Sequence, residues 1–196
     1  MKKLKFIIQK FIVGLMGSPI KIDPNIKNRQ IKTIASLPKA VFWDTSVKIY
    51  KTKEGIEYVK TPEKCFSDLP DYNFNENYCE INGLKMHYID AGPSDGKILL
   101  LLHGQPVWSY LYRTMIHELV AKGYRCIAPD LMGMGKSDKP ISIKYHIYNT
   151  HCDNILTFIK NLKLKKITLF CQDWGSLIGL RIAGENSNLF SGIIAA

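Results

Sequence analysis

The feature that most constrains this chain is the run Ile98-Leu99-Leu100-Leu101-Leu102, five consecutive apolar residues without alternation. A strand with one face in water alternates apolar and polar residues, so an unbroken run of this length fits a strand buried on both faces. Helix-length and strand-length stretches then alternate after it. The pattern predicts a helix over 108–122 closed by Gly123, a strand over 124–128, a helix over 145–162, a strand over 166–171 and a helix over 175–185. Before the run, 78–82 and 85–90 read as two strands joined by Asn82-Gly83, a hairpin turn. Strand and helix in alternation imply an α/β fold: a mainly parallel sheet with helices on both faces. In such sheets chemistry gathers beyond the carboxyl ends of the strands, which directs attention to the segments after Leu102, Ala128 and Cys171.

The chain has 196 residues, 46% hydrophobic and 22% charged, the balance of a globular protein of one or at most two domains. Lys and Arg outnumber Asp and Glu by 27 to 17, a net charge of +10 that by itself suggests a nucleic-acid or anionic-membrane partner. The excess is local. Residues 1–60 hold 13 of the basic and 4 of the acidic residues, leaving 14 against 13 for the remainder, so the body is neutral and a nucleic-acid partner is not expected. Five cysteines without a CxxC pair indicate neither a disulfide framework nor a zinc site, and no metal is expected. A reducing, cytoplasmic location is the default reading.

The division expected from this asymmetry is a basic extension over 1–56 and a body over 57–196. Within the extension, Leu4, Ile7, Ile8, Phe11, Ile12 and Leu15 recur at helical spacing beside Lys2, Lys3 and Lys5. This fits an amphipathic helix in weak contact with a membrane surface through residues 1–16. A plain solvated extension and a secretory signal compete with it, although Lys10 interrupts the apolar stretch and no A-x-A cleavage site follows. The apolar run 11–17 is shorter than the ~20 residues of a spanning helix.

Two decoys are cleared by spacing. Gly133-Met134-Gly135-Lys136-Ser137 ends like a phosphate-binding loop, but the position of its first glycine is Asp130. Around Ser176 the flanking positions of a GxSxG elbow are Trp174 and Ile178, which disfavours a serine hydrolase. After Cys171, the segment Gln172-Asp173-Trp174-Gly175 runs from an apolar strand straight into a helix, where a nucleophile elbow exposes one side chain between small residues. Asp173 occupies the tip, and a carboxylate there can attack carbon and form an ester. An ordinary helix N-cap is the competing reading. After Leu102, Gly104 permits close backbone approach and Pro106 stiffens the turn, so the loop can present the N–H of Gln105 to an anion. His103 is read as loop support rather than as a base, since in this architecture the base follows the nucleophile.

These residues resemble the haloalkane dehalogenases of the α/β-hydrolase fold. The resemblance is carried by Thr61-Pro62-Glu63 with Phe66, Leu69-Pro70-Asp71-Tyr72, His103-Gly104-Gln105-Pro106 with Trp108-Ser109-Tyr110-Leu111-Tyr112-Arg113, Ala128-Pro129-Asp130, Gly133, Gly135-Lys136-Ser137-Asp138-Lys139-Pro140 and Gln172-Asp173-Trp174-Gly175. It covers about residue 57 to the end. It implies a cofactor-independent hydrolase that takes a small haloalkane and releases a halide ion. Asp173 would be the nucleophile, Trp174 the halide donor through its indole N–H, and the backbone N–H groups of Gln105 and Trp174 the oxyanion hole. Core packing is the competing reading of Trp174. Family members generally carry Asn or Glu at the position of Gln105 and Gly at that of Ser176. An epoxide hydrolase of the same fold is the nearest alternative, disfavoured by Gln172 and by the WSYLYR stretch; an inactive fragment or a membrane-binding protein is the non-enzyme alternative.

One departure is larger. His87, His103, His117, His146 and His151 all precede Asp173, whereas the fold places nucleophile, acid and histidine in that order. The expectation is therefore an incomplete α/β-hydrolase core, ending near the strand after the elbow helix, with the cap, second halide ligand, acid and base outside these residues. This predicts that the 196-residue chain is alkylated once at Asp173 and does not turn over; multiple-turnover halide release in an ion-chromatography assay would contradict it.

Overall fold

The computed structural model describes residues 48–196, so the expected helix within residues 1–16 and the rest of the extension up to residue 47 lie outside the described residues. In chain order the elements are β1 (Tyr50–Lys51), β2 (Glu57–Val59), β3 (Asn77–Ile81), β4 (Leu84–Ala91), β5 (Lys97–Leu102), α1 (Arg113–Ala121), β6 (Tyr124–Pro129), β7 (Lys139–Pro140), α2 (Tyr148–Asn161), β8 (Ile167–Cys171), α3 (Trp174–Glu185) and β9 (Phe190–Ala195). The β3–β4 hairpin turns through Asn82 and Gly83, at φ 51° and 75°, as a two-residue turn with both central residues left-handed requires. Six strands form one sheet in the order β3-β4-β6-β5-β8-β9. The pairs β6–β5, β5–β8 and β8–β9 are parallel, and β4 is antiparallel to both neighbours.

The apolar run explains the centre of this order. Leu100 and Leu102 face a core built with α2 and α3, among Ile155, Phe158, Ile178 and Ile182, while Leu99 and Leu101 face the other layer with Tyr112 and Ile116. Both faces of β5 are thus covered, which is why neither parity of the run can be polar. The chain passes from β5 to β6 on one side and from β6 across to β8 on the other. The direction of winding reverses between β5 and β8, and the loops after them face each other at the carboxyl edge.

Two expected helices begin later than their periodicity suggests. Residues 109–112 form a 3-10 turn before α1 because tertiary bonds hold them: Ser109 N–H donates to Asp130 Oδ1 at 2.8 Å and Tyr112 Oη donates to the Leu102 carbonyl at 2.9 Å. Before α2, His146 donates from Nε2 to the Pro140 carbonyl at 2.7 Å, and Ile147 is extended at φ −104°, ψ 154°. The small sheet β1-β2-β7 has no counterpart in the sequence reading. The boundary expected between residues 56 and 57 falls inside its hairpin, where Tyr50 pairs with Tyr58 and Lys51 with Glu57. Strands of two and three residues are too short to show a period.

Asp130, at the end of β6, is fully buried and organises this edge. Its Oδ1 accepts the Ser109 N–H; its Oδ2 accepts from His87 Nδ1 at 2.9 Å and from the Lys136 N–H at 2.8 Å. Ser137 Oγ donates to the Asp130 carbonyl and receives the N–H of His87, tying the 130–138 loop to β4. Burial pushes the Asp130 carboxyl pKa up, but the hydrogen bonds and the nearby histidines outweigh it and hold the pKa below its ordinary value. The stability that this carboxylate supplies is complete above its unfolded-state pKa of about 3.9 and is lost as pH falls through the lower folded value. Asp130→Ala leaves three donors without their acceptor, those of Ser109 and His87 buried and that of Lys136 half-buried, and is expected to cost about 3 kcal/mol. Urea unfolding of the two proteins at pH 7 checks this; an unchanged midpoint would contradict it.

Candidate active site

Asp173 immediately precedes α3 with φ 52° and ψ −127°, a left-handed conformation that a non-glycine residue adopts only where the surroundings impose it. Asp173 stands at the N-cap position of α3, but its side chain makes no capping hydrogen bond. Oδ1 instead accepts the N–H of Gln105 at 2.9 Å, across from the loop after β5. This bond, and after it the adjacent Trp174 N–H, hold the pKa of the exposed Asp173 below the ordinary carboxylate value.

Two glycines make this approach feasible. A Cβ on Gly104 would overlap the Asp173 carboxylate, and a Cβ on Gly175 would overlap the Leu102 carbonyl oxygen. The loop itself is clipped by His103, which is buried. Its Nδ1 donates to the Gly104 carbonyl at 2.8 Å and its Nε2 accepts the Leu131 N–H at 2.9 Å. Both ring nitrogens are satisfied by the neutral ring, and burial lowers its pKa further. Pro106 follows Gln105 through a cis peptide bond and is exposed. Trp108, next in this loop, stacks on Tyr110 and meets Phe66 and Tyr72 edge-on, so aromatic packing anchors its far end.

The predicted residues Gln105, Asp173 and Trp174, with His103, Gly104 and Pro106, therefore lie together at the carboxyl ends of β5 and β8. Beside them is a cleft of about 90 Å³ lined by Gln105, Trp174, Met134, Leu131, His146 and His151. Trp174 is 36% exposed and so is not a core side chain. Sequence reasoning passed over Asp130 as a failed phosphate-loop position, and it gave no place to His146 or His151. Only the fold brings the start of α2 to the cleft, and no local signal marks it. Among the described residues no cluster of three or more metal-binding side chains occurs, and no helix is long and apolar enough to cross a membrane.

Residues 97–196 match the family model of the alpha/beta hydrolase fold. The chain belongs to the α/β-hydrolase family. A haloalkane dehalogenase of Mycobacterium marinum is 47% identical over 146 residues, covering 72% of this chain and 49% of that protein. One of Psychrobacter cryohalolentis is 47% identical over 145 residues, covering 71% and 48%. Among solved structures, the haloalkane dehalogenase of Paraglaciecola agarilytica superposes with a TM-score of 0.68 at 40% identity, covering 70% of this chain and 48% of that one. An epoxide hydrolase of Vigna radiata superposes at 0.58 with 30% identity, covering 62% and 37%. This α/β-hydrolase chain spans about half the length of the curated relatives it matches.

The geometry makes one prediction independent of any reaction. In Gly104→Ala the added Cβ displaces the carboxylate from the Gln105 N–H, so the Asp173 pKa, followed by carbon-13 NMR titration, should rise toward about 3.9. An unchanged value would show that Gln105 does not hold it.

Proposed function

We propose that the protein of which this chain forms part hydrolyses haloalkanes through an ester on Asp173. The observation that carries this reading is the Asp173 carboxylate, exposed at a strained elbow, with one oxygen held by the Gln105 N–H and a cleft beside it. Since Oδ1 is engaged, Oδ2 is the oxygen free to attack. A lone pair on Oδ2 forms the new bond to the carbon that carries the halogen, and the carbon–halogen pair leaves with the halide. The Trp174 indole has a donor and no acceptor, which suits it to the departing anion. Oδ1 becomes the ester carbonyl oxygen. When water adds at that carbonyl carbon, Oδ1 carries the negative charge, and the two amides that already face the carboxylate stabilise it. His103 and Gly104 would hold Gln105 in place, and Pro106 would stiffen the turn. Among the described residues no histidine is hydrogen-bonded to Asp173.

The same ester logic serves epoxide opening, and the Vigna radiata likeness keeps that reading in view. The higher identity to proteins named haloalkane dehalogenase, and Gln172 before the nucleophile, favour carbon–halogen cleavage.

Incubation with 1-bromobutane should add one butyl group, located on Asp173 by peptide mass spectrometry and absent from Asp173→Asn. Labelling elsewhere, or equal labelling of the variant, would overturn the nucleophile assignment. Because the carboxyl pKa lies below its ordinary value, the labelling rate should stay flat from pH 8 down to about 5 and fall only below the ordinary carboxylate range. A midpoint above pH 6 would point to a different group.

A further inference from the structure

His151, on the first turn of α2, is a polar cleft residue to which the reading above gives no task. The residue is only 8% exposed, and its ring lines the cleft beside Gln105 and Trp174. Among the described residues, Nδ1 is enclosed without a hydrogen-bond partner, and Nε2 is neither enclosed in that way nor bonded to another side chain or carbonyl. A buried N–H without an acceptor is costlier than a buried lone pair without a donor, so the ring proton belongs on Nε2. Burial, and then the neighbouring His146 and His103, push the His151 pKa down to about 4, which keeps the ring neutral at pH 7. The result is an N–H donor beside His146 on a wall whose apolar part is Leu131, Met134 and Ile178. His146 does not take up this donor: the ring centroids are 5.8 Å apart, and His146 is itself bound through Nε2 to the Pro140 carbonyl.

The Nε2–H opens onto the cleft with no protein acceptor among the described residues, so it is met by water or by an acceptor atom on a molecule that enters. We propose that His151 forms a second polar subsite there, donating its Nε2–H to the ether-type oxygen of a short haloalkane chain that carries this acceptor a few bonds from the carbon under attack. The subsite rests on the Asp173 reading for its substrate. The cleft is small, and His151 lines it together with Gln105 and Trp174, so the acceptor must lie close to the reacting carbon, as in 1-bromo-2-methoxyethane. 1-Bromobutane matches that molecule in shape, with a methylene in place of the oxygen.

The test is competitive labelling of Asp173 by this pair, read by peptide mass spectrometry in the full chain. The ratio of ether to alkane labelling, which cancels intrinsic reactivity when proteins are compared, should drop roughly threefold to tenfold in His151→Phe, as expected for one lost hydrogen bond. His151→Gln, which keeps a donor, should restore part of the ratio. A measurement on the unmodified chain guards against variants that do not fold. In nitrogen-15 NMR, His151 should appear as the Nε2–H tautomer, and its Nε2 signal should shift on addition of 1,2-dimethoxyethane. A ratio unchanged in both folded variants, or an Nε2 signal that does not move, overturns the subsite and leaves the nucleophile assignment standing. Absence of Asp173 labelling by either reagent in the unmodified chain overturns the nucleophile assignment, and the subsite falls with it.

Discussion

The Asp173 carboxylate meets the backbone N–H of Gln105 because the polypeptide passes within contact distance of itself at the ends of β5 and β8. Gly175 lies against the Leu102 carbonyl and Gly104 against the Asp173 side chain, and neither position has space for a methyl group. The same Leu102 carbonyl receives Tyr112 Oη and the Gln172 N–H, so the two loops are joined at one oxygen. A left-handed Asp173 is tolerable only inside such a frame, since its backbone conformation costs on the order of 1–3 kcal/mol that the surroundings must offset. The strain and the exposed carboxylate are two sides of one arrangement.

The frame is held from behind by a second carboxylate of opposite character. Asp173 is exposed and presented to the cleft, whereas Asp130 is buried and saturated with donors from Ser109, Lys136 and His87. Burial of an unpaired carboxylate is costly, so the three donors and the loop that supplies them form together or not at all. Through Ser109 this network positions the aromatic segment after Gln105; through Lys136 it shapes the loop that carries Leu131 and Met134 to the cleft. Two aspartates, at the ends of the two strands that flank β5, thus divide the work of organisation and presentation.

Much of the fold was legible because it rests on periodicities. The unbroken run 98–102, the Asn82-Gly83 turn and the alternation of strand and helix through α3 all mark elements that the structure contains, within a few residues at each end. What was not legible lacks a period. The starts of α1 and α2 are displaced by tertiary bonds to Asp130, Leu102 and Pro140, and the strands Tyr50–Lys51 and Lys139–Pro140 are stabilised by pairing alone. Cys171 and Gly175 around Asp173 identified an elbow, but an elbow and an N-cap share the same residue types, and only the backbone angles and the missing cap bond separate them.

By itself the sequence determined the layered α/β architecture, the segments that meet at the carboxyl edge, and the residues Gln105, Asp173 and Trp174 to examine there. It could do so because side-chain periodicity and turn chemistry are local properties, written within a few residues of one another. The tertiary structure alone decided that the Gln105 N–H points at Asp173 from 68 positions away in the chain, that Asp130 is a buried hub rather than part of a phosphate loop, and that His151 is enclosed beside the cleft with a ring nitrogen unpartnered. Each of these depends on which surfaces the strand order β6-β5-β8 brings face to face, and burial and orientation do not exist before that packing does.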